Sequence, residues 1–391
     1  MPAQSIESAS IGAAMPLEER KVVIAHFNEK VGRALLKSPP SKDFVKNAIH
    51  RKGSSRCVIR VQRLSIDVIL RYGDALADLF SAYPDDLVSP HPYDAFVGYQ
   101  LPEQKDRIDT VKVLTEEATW VDEWGTGWGH ALGGVGATSV SYPLKDWSHL
   151  DDYLARQVPN PRAPGRLNVT ADAIRTFGPT RYIMAANPLT IFERLHGLRG
   201  MTETMMDFCT NELEIERLLE RLTEYHLELF RYYAEIGADG IFVADDFGSQ
   251  RSLMMSAGMW RKFFRPLYKR LFDEIHRCGM DVIYHSCGNI MDIIPDLIDL
   301  GADVLDPIQP ETMDAREIAR RFGGKIAFYG GISCQRLAGW TPQEVKDEVR
   351  RMIDTVGKPF GNAYMVGPAN VLTPEIPFEN LQALCEAASQ R

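Results

Sequence analysis

The segment MDVIYHSCG at residues 280–288 decides the fold, because several other segments share its form. It is a short run of aliphatic and aromatic residues that ends in polar residues and glycine. Such a run is typical of a strand buried in a parallel sheet. The same form recurs in four segments, and two earlier ones are strand candidates: DGIFVADD (239–246), ADVLDPIQP (302–310), KIAFYGGIS (325–333), AYMVGPAN (363–370), CVIRVQ (57–62) and RYIMAAN (181–187).

Helical segments separate these strands. MWRKFFRPLYKRLFDEIHRCG (259–279) has apolar residues at helical spacing and ends in glycine, which favours a helix C-terminus there. TPQEVKDEVRRMIDTVG (341–357) begins with Thr341, Pro342 and Glu344, the pattern of a capping box. The regular alternation of strand and helix predicts a parallel sheet with right-handed crossovers.

Both an open sheet and a closed barrel are compatible with this alternation of strand and helix. An open, doubly wound sheet usually carries a glycine-rich phosphate loop after its first strand, and the sequence has neither a GxGxxG nor a Walker pattern. A (β/α)8 barrel needs about 250 residues, which residues 57–391 supply. We therefore predict the α/β class with a TIM-type (β/α)8 barrel. The predicted organisation is an N-terminal extension at 1–44, partly disordered and then helical, and a single barrel domain at 45–391 with a loop-rich insertion at about 85–180.

Composition limits the possible partners. The 44 basic and 53 acidic residues give a net charge of −9, which argues against a nucleic-acid-binding face. No apolar stretch is long enough for a membrane span, and the N-terminus lacks the pattern of a signal peptide. The six cysteines are scattered and form no CxxC pair, which is typical of reduced thiols. We expect a cytoplasmic protein that acts on a small molecule.

Polar residues follow the predicted strands at the ends where barrel enzymes place their chemistry. His285 and Cys287 stand two apart, and in an extended segment such residues point the same way. Imidazole and thiolate together suit zinc, but a catalytic zinc needs three protein ligands. Alternatively, His285 bonds to the barrel rim and Cys287 is a packing residue.

Other strand ends supply further candidates. Asp245 and Asp246 are adjacent and alternate in direction, so one of them should face the pocket as a metal ligand, a general acid or base, or a substrate acceptor. The alternative is a capping role. Gln250 and Gln309 carry amides that can orient a substrate or make loop hydrogen bonds.

An aromatic segment in the insertion is a candidate lid. DEWGTGW (122–128) contains Trp124 and Trp128, and these rings could cover the barrel mouth. The alternative is that they pack the insertion against the barrel.

Taken in order, the C-terminal segments resemble the uroporphyrinogen decarboxylase superfamily. The resemblance is strong over about 200–390 and looser over 45–200. It rests on these segments in this order: ADGIFVADDFGSQRSLMMSAGMWRKFFRPLYKRLFDEIHRCGMDVIYHSCGNI, GADVLDPIQPE, IAFYGGISCQ, TPQEV and TPEIPFENL. The resemblance implies a (β/α)8 barrel, in agreement with the periodicity.

The superfamily holds two main activities, and the motifs favour one of them. Its methyltransferases move methyl groups to or from a corrinoid with the help of zinc, and they carry His-x-Cys where this chain has His285 and Cys287. True decarboxylases use no cofactor and carry an N-terminal RQAGRY signature and a C-terminal Gly-His-Gly. Neither occurs in RKGSSRCVIRVQR (51–63) or VGPANVL (366–372).

One position departs from the methyltransferase pattern. Those enzymes place a second cysteine near the end of the last strand, where this chain has Asn370. If zinc binds, a third ligand must therefore come from elsewhere, with Asp246 as first choice and Glu311 or Cys334 as alternatives. Alternatively, no zinc binds and the chain has diverged.

The resemblance leads to three functional hypotheses. The first is a methyltransferase or demethylase that acts on a small methylated molecule, with Zn²⁺ and a corrinoid carried by a partner protein. In it, Asp245, Asp246 and Gln309 are catalytic. The substrate-binding residues would be Gln250, Trp124, Trp128 and Asn370. The second hypothesis is decarboxylation of uroporphyrinogen, and the third is a barrel that binds a ligand without catalysis.

Overall fold

The computed structural model describes residues 15–90, 108–130, 136–187 and 189–390. Eight parallel strands form a nearly closed barrel in sequential order, and a separate antiparallel sheet has three strands in the order β3-β4-β5. The barrel strands are β1 (Val58–Ile59), β2 (Leu87–Val88), β6 (Tyr182–Asn187), β7 (Gly240–Ala244), β8 (Asp281–His285), β9 (Val304–Ile308), β10 (Ala327–Ile332) and β11 (Tyr364–Pro368), and the small sheet has β3 (Ala118–Val121), β4 (Gly127–His130) and β5 (Thr138–Ser141). The predicted (β/α)8 fold is confirmed.

Helices surround the barrel and cover its strands. Within the described residues they are α1 (Leu17–Lys37), α2 (Lys42–Ile49), α3 (Ile66–Ala82), α4 (Thr110–Thr115), α5 (Leu150–Arg156), α6 (Asn168–Phe177), α7 (Phe192–Arg199), α8 (Met201–Thr210), α9 (Glu212–Ile236), α10 (Ala257–Phe263), α11 (Arg265–Arg277), α12 (Ile294–Leu300), α13 (Ala315–Phe322), α14 (Cys334–Leu337), α15 (Pro342–Met352) and α16 (Phe378–Ser389). None of them is both long and apolar enough to cross a membrane.

Local sequence signals explain where several helices start and stop. The capping box of Thr341 and Glu344 opens α15. Gly301 adopts a left-handed conformation directly after α12, which a residue without a β-carbon does at low cost. The segment 259–279, predicted as one helix, is two helices, α10 and α11. Pro266 at the start of α11 lacks the amide hydrogen that a continuous helix would need.

The barrel interior is a packed apolar core, not a channel. Its buried residues come from the strands and from α2, which packs against the barrel interior: Val45, Ala48, Ile49, Val58, Leu87, Tyr182, Met184, Phe242, Ala244, Ile283, Val304, Ala327, Tyr329, Ala363 and Met365. A buried side chain the size of valine or larger contributes about 1.5–3 kcal/mol to folding. The interior thus holds the strand ends in fixed relative positions.

The ring closes between β1 and β2 without a regular ladder. The Asp86 N–H donates to the Ile59 carbonyl at 3.0 Å, and the Asp86 carboxylate accepts from the Ile59 N–H at 2.7 Å. Strand β2 belongs to the barrel, although it lies within the insertion predicted at about 85–180. The small β3–β5 sheet also lies between residues 85 and 180.

The N-terminal extension is helical where it is described. Helix α1 packs along α3, which follows the first barrel strand. The disorder predicted for the first residues falls outside the described residues.

Candidate metal centre at the carboxyl end of the barrel

Three potential ligands meet above the barrel core. One ligand atom each from Asp246, His285 and Cys287 lies within 4.8 Å of the other two. The Cys287 Sγ lies 3.5 Å from His285 Nε2, and the Asp246 Oδ1 lies 3.6 Å from the same nitrogen. Among the described residues, this is the cluster of histidine, cysteine and carboxylate groups that can hold a metal ion.

The cluster follows from the pairing of two neighbouring strands. Ala244 on β7 pairs with His285 on β8, so the residues just beyond them lie side by side. The Asp246 Oδ1 then accepts a hydrogen bond from the Cys287 N–H at 2.7 Å. His285 and Cys287 share a face because they are two residues apart in extended chain.

A glycine pair fixes the turn after Cys287. Gly288 has φ +81, and a β-carbon there would lie 2.2 Å from the Gly248 carbonyl oxygen. The loops after β7 and β8 therefore touch backbone to backbone. The Gly288 N–H donates to the Gln309 side-chain oxygen at 2.8 Å, which ties the turn to the end of β9 as well.

A buried carboxylate orients His285 from behind. Asp306 is fully buried, and its Oδ1 lies 2.6 Å from His285 Nδ1. Burial alone would raise the pKa of Asp306, but Arg60 and His285 hold that pKa well below its usual range. An ionised Asp306 accepts the Nδ1 proton, which leaves the Nε2 lone pair directed at the cluster.

Two arginines compensate the charge of Asp306. Arg60 Nη1 lies 2.5 Å from Asp306 Oδ2, and Arg63 Nη1 lies 3.3 Å from Asp306 Oδ1. The Arg60 guanidinium also stacks 4.2 Å from the centre of the Tyr329 ring. Asp306, Arg60 and Arg63 were not among the site residues predicted from the sequence. The sequence feature that could have identified them is a charged residue inside or directly after an apolar strand. Such a residue needs a partner when it is buried.

The donor set fits zinc. With ordinary Zn–N and Zn–S bond lengths, tetrahedral geometry places a ligand nitrogen and sulfur about 3.5 Å apart. The separations from His285 to Cys287 and to Asp246 are close to that value. The Asp246 side chain is 36% exposed, so the cluster is open on one side. Three donors with one open side are what a catalytic zinc requires.

The thiol of Cys287 is protonated before any metal binds. Burial, with a contribution from the nearby Asp246 carboxylate, raises the pKa of Cys287 well above its ordinary value. Bound zinc would displace that proton, as it does at other thiolate sites.

Asp245 points away from the cluster. Its carboxylate oxygens accept the backbone N–H groups of Ile191 at 2.7 Å and Glu193 at 2.8 Å at the start of α7, and the Tyr268 hydroxyl also donates to it. The residue is fully buried, and burial raises its pKa to about 6. Both oxygens of Asp245 are thus engaged by α7 and Tyr268, and the catalytic role expected for Asp245 stays a prediction.

Asn370 contacts the cluster, whereas the two alternative third ligands lie outside it. Asn370 Nδ2 lies 3.7 Å from the Cys287 Sγ. The Cys334 thiol donates to the Asn370 carbonyl oxygen at 3.2 Å, and burial raises the pKa of Cys334 to about 11. The Glu311 carboxylate accepts a hydrogen bond from the Ser333 hydroxyl.

The two candidate glutamines occupy different environments. The Gln309 amide oxygen is engaged by Gly288, as described above. Gln250 is exposed in the loop after β7, where Gly248 and Leu253 form a bridge. Gln309 thus holds the turn at the cluster, and Gln250 lies at the surface of the mouth.

The two tryptophans of the insertion are buried and packed against neighbouring side chains. Trp124 is 3% exposed and its ring centre lies 4.7 Å from that of Tyr225 on α9. Trp128 donates through Nε1 to Asp122 at 3.0 Å, and that carboxylate also binds Arg194 at 2.7 Å. A buried salt bridge and ring packing anchor both tryptophans, and their role as a substrate-binding lid stays a prediction.

Comparison with known proteins places the chain in a family. Residues 135–391, well over half of the chain, match the family model described as uroporphyrinogen decarboxylase (URO-D). The chain belongs to this family. The resemblance noted in the sequence is thereby confirmed.

Curated relatives within the uroporphyrinogen decarboxylase family are distant. A uroporphyrinogen decarboxylase of Thermus thermophilus is 29% identical over 206 residues, which is 52% of this chain and 54% of that protein. One of Pseudomonas fluorescens is 25% identical over 180 residues, which is 46% of this chain and 49% of that protein. The chain thus spans about half the length of the curated relatives it matches.

A solved structure shares the fold of this family member over nearly its whole length. A methyltransferase from Methanosarcina mazei superposes with a TM-score of 0.66 and covers 90% of this chain and 98% of its own, at 18% sequence identity. This likeness establishes the shared barrel architecture.

Proposed function

We propose that this protein is a methyltransferase that moves a methyl group between a small methylated substrate and a corrinoid or thiol acceptor, with zinc held by Asp246, His285 and Cys287. The single observation that carries the proposal is the cluster of three donor atoms at ligand spacing on the barrel rim. The motif His-x-Cys at this strand end and the fold shared with a protein described as a methyltransferase support it.

The residues around the cluster have distinct tasks in this proposal. Zinc, when bound, would supply Lewis acidity that lowers the pKa of a thiol or polarises a methylated heteroatom. Asp306 holds His285 in the tautomer that presents Nε2, and Gln309 holds the turn that carries Cys287. Asn370 offers an amide hydrogen to the Cys287 sulfur. The corrinoid, carried by a partner protein, would approach from the open side of the barrel mouth.

Metal analysis of the purified protein tests the proposal. We expect close to stoichiometric zinc in the wild type and its loss in Cys287→Ala and Asp246→Ala, because each removes one of only three donors. Cys209→Ala removes an exposed thiol outside the cluster and serves as the matched control, which should keep its zinc. Methyl transfer by a wild type freed of metal would overturn the proposal, as would full zinc content in both cluster variants.

Decarboxylation of uroporphyrinogen is the second candidate, and the curated relatives favour it. Incubation of the protein with uroporphyrinogen distinguishes the two activities, because decarboxylation of the acetate side chains yields coproporphyrinogen. Formation of that product by metal-free protein would establish the second candidate. Its absence, together with zinc-dependent methyl transfer, would exclude it.

A further inference from the structure

Two side chains of α7 lie near the cluster and have no task in the proposed function. Glu193 and His196 are three residues apart, so they share a face of the helix. Both are partly buried, and Asp246 acts on both of them electrostatically. The Glu193 N–H donates to Asp245 at 2.8 Å, which fixes the start of α7 beside the residue that precedes Asp246. The two side chains therefore lie on the side of the cluster that Asp246 occupies.

The carboxyl group of Glu193 has neither a hydrogen bond nor an ion pair within the part of the chain that the structure describes. The cation that acts on it is Arg194, whose guanidinium binds Asp122 at 2.7 Å and lies over the Trp124 ring. His196 supplies no positive charge at neutral pH, because burial lowers the pKa of its imidazole to about 4. The Glu193 carboxyl group is thus available to a substrate.

The surroundings of Glu193 favour its protonated form. Burial raises the pKa of Glu193 well above its ordinary value, and the carboxylates of Asp246 and Asp245 raise it further. Zinc held by one thiolate and one carboxylate adds no net charge, so burial and Asp245 still act on Glu193 when the cluster is loaded. A protonated carboxyl group beside the reacting atoms is a hydrogen-bond donor that can act as a general acid.

A proton donor at this place suits one class of methylated substrate. A methylated ammonium group leaves as a neutral amine, and a thioether leaves as a thiolate, which is itself a zinc ligand. Neither of them needs a proton while the bond to the methyl group breaks. An ether oxygen would leave as a strongly basic alkoxide or phenolate unless an acid protonates it during the step.

We propose that Glu193 is a catalytic residue that donates a proton to the oxygen of a methyl ether as the methyl group leaves. The carbon–oxygen bond breaks, and its electron pair stays on the oxygen and takes the proton from Glu193. The methyl group passes to the cobalt(I) of the corrinoid, whose electron pair forms the new bond to carbon, so that cobalt(I) becomes cobalt(III). The products are an alcohol or phenol and the methylated corrinoid, and Glu193 regains its proton from water. This inference rests on the proposed function and names methyl ethers as its substrate class.

Two ethers whose leaving groups differ in basicity test the inference. Demethylation of anisole and of 4-nitroanisole would be measured on zinc-loaded protein with cob(I)alamin as the acceptor, through the absorption of methylcobalamin. The 4-nitrophenolate ion leaves readily without a proton, whereas the more basic phenolate benefits from one. We expect Glu193→Gln to slow the reaction of anisole about 100-fold or more, as the loss of a general acid does, and to affect 4-nitroanisole much less. Glu193→Asp keeps an acid on a shorter side chain and should recover part of the anisole rate.

The matched control is Glu203→Gln, which removes an exposed carboxyl group of α8 and should leave both rates unchanged. Glu193→Gln should also keep its zinc, because Glu193 is not a donor of the cluster. Loss of zinc in that variant, an equal loss of rate with both ethers, or unchanged rates would each overturn the catalytic role of Glu193. Zinc-loaded wild type that demethylates neither ether overturns the inference and leaves the proposed function in place, whereas wild type that takes up no zinc overturns both.

Discussion

At the scale of single residues, the orientation of His285 depends on a carboxylate that never touches the metal position. Asp306 is fully buried and binds His285 on one side and two arginines on the other. A buried carboxylate remains ionised only with such compensation. The imidazole therefore presents Nε2 to Asp246 and Cys287 whether or not a metal is bound.

Replacing Asp306 by asparagine should weaken zinc binding roughly 10- to 100-fold, because the imidazole loses its oriented acceptor. A competition titration with a fluorescent chelator measures this change. Asp303→Asn is the matched control, since Asp303 pairs with His276 at 2.8 Å before the start of β9, at the opposite end of the strand from Asp306. Equal zinc affinity of the two variants would contradict the orienting role of Asp306.

Asn370→Cys should add a fourth donor to the cluster. The Asn370 side-chain nitrogen already lies 3.7 Å from the Cys287 sulfur, which is a ligand-to-ligand separation. We expect tighter zinc binding and a loss of methyl transfer, because a closed tetrahedral site has no open position for substrate. In the cobalt-substituted protein, the thiolate absorption band should grow relative to wild type. Asn370→Ala, which adds no donor, should leave that band unchanged.

At the scale of elements, the turn after β8 fixes the spacing between Cys287 and the neighbouring loops. Gly288 combines a left-handed backbone with contact against the Gly248 backbone, so two independent reasons require glycine there. The turn carries one metal donor at its start. A change in the conformation of this turn would therefore move the Cys287 thiol relative to the other two donors.

Gly288→Ala should destabilise the protein by clearly more than the cost of a left-handed backbone alone, which is about 1 kcal/mol. Gly279→Ala isolates that cost, because Gly279 has φ +77 and a β-carbon added there would have no atom within 4 Å. Urea unfolding of both variants gives the comparison. Similar free energies of unfolding would show that the loop after β7 moves to accommodate the added methyl group.

The sequence predicts these elements better than it predicts their partners. The apolar runs define β7 to β11, and alternation along an extended chain aligns His285 with Cys287. The pairing of β7 with β8 brings Asp246 to them, which is a long-range contact that no local pattern contains. The hydrogen bonds of Asp245 depend on the position of α7. The packing of Trp124 and Trp128 depends on a salt bridge between Asp122 and Arg194. Such pairings arise only when distant segments fold together.

At the scale of the whole molecule, zinc should stabilise the fold in a pH-dependent way. The raised pKa of Cys287 means that the metal-free folded protein holds a thiol at neutral pH, and zinc must release that proton. Zinc affinity should therefore fall as pH falls, by up to about tenfold per unit for the one proton displaced.

Melting curves with and without zinc between pH 6 and 8 check this expectation, because a ligand that binds only the folded state raises the melting temperature. The zinc-induced shift should grow with pH in the wild type and be absent in Cys287→Ser. A shift of equal size in that variant would locate zinc elsewhere on the chain.

The closure of the ring between β1 and β2 has a consequence for self-association. A strand with free backbone N–H groups is a template on which another chain can add a strand. Here aspartates occupy those groups: Asp86 accepts from Ile59, and Asp85 accepts from Val61 at 2.8 Å and from Gln62 at 3.1 Å. Carboxylates of the same chain thus occupy N–H groups at the end of β1 and just beyond it. Among the described residues, these N–H groups at the joint between β1 and β2 are not free to start aggregation by strand addition.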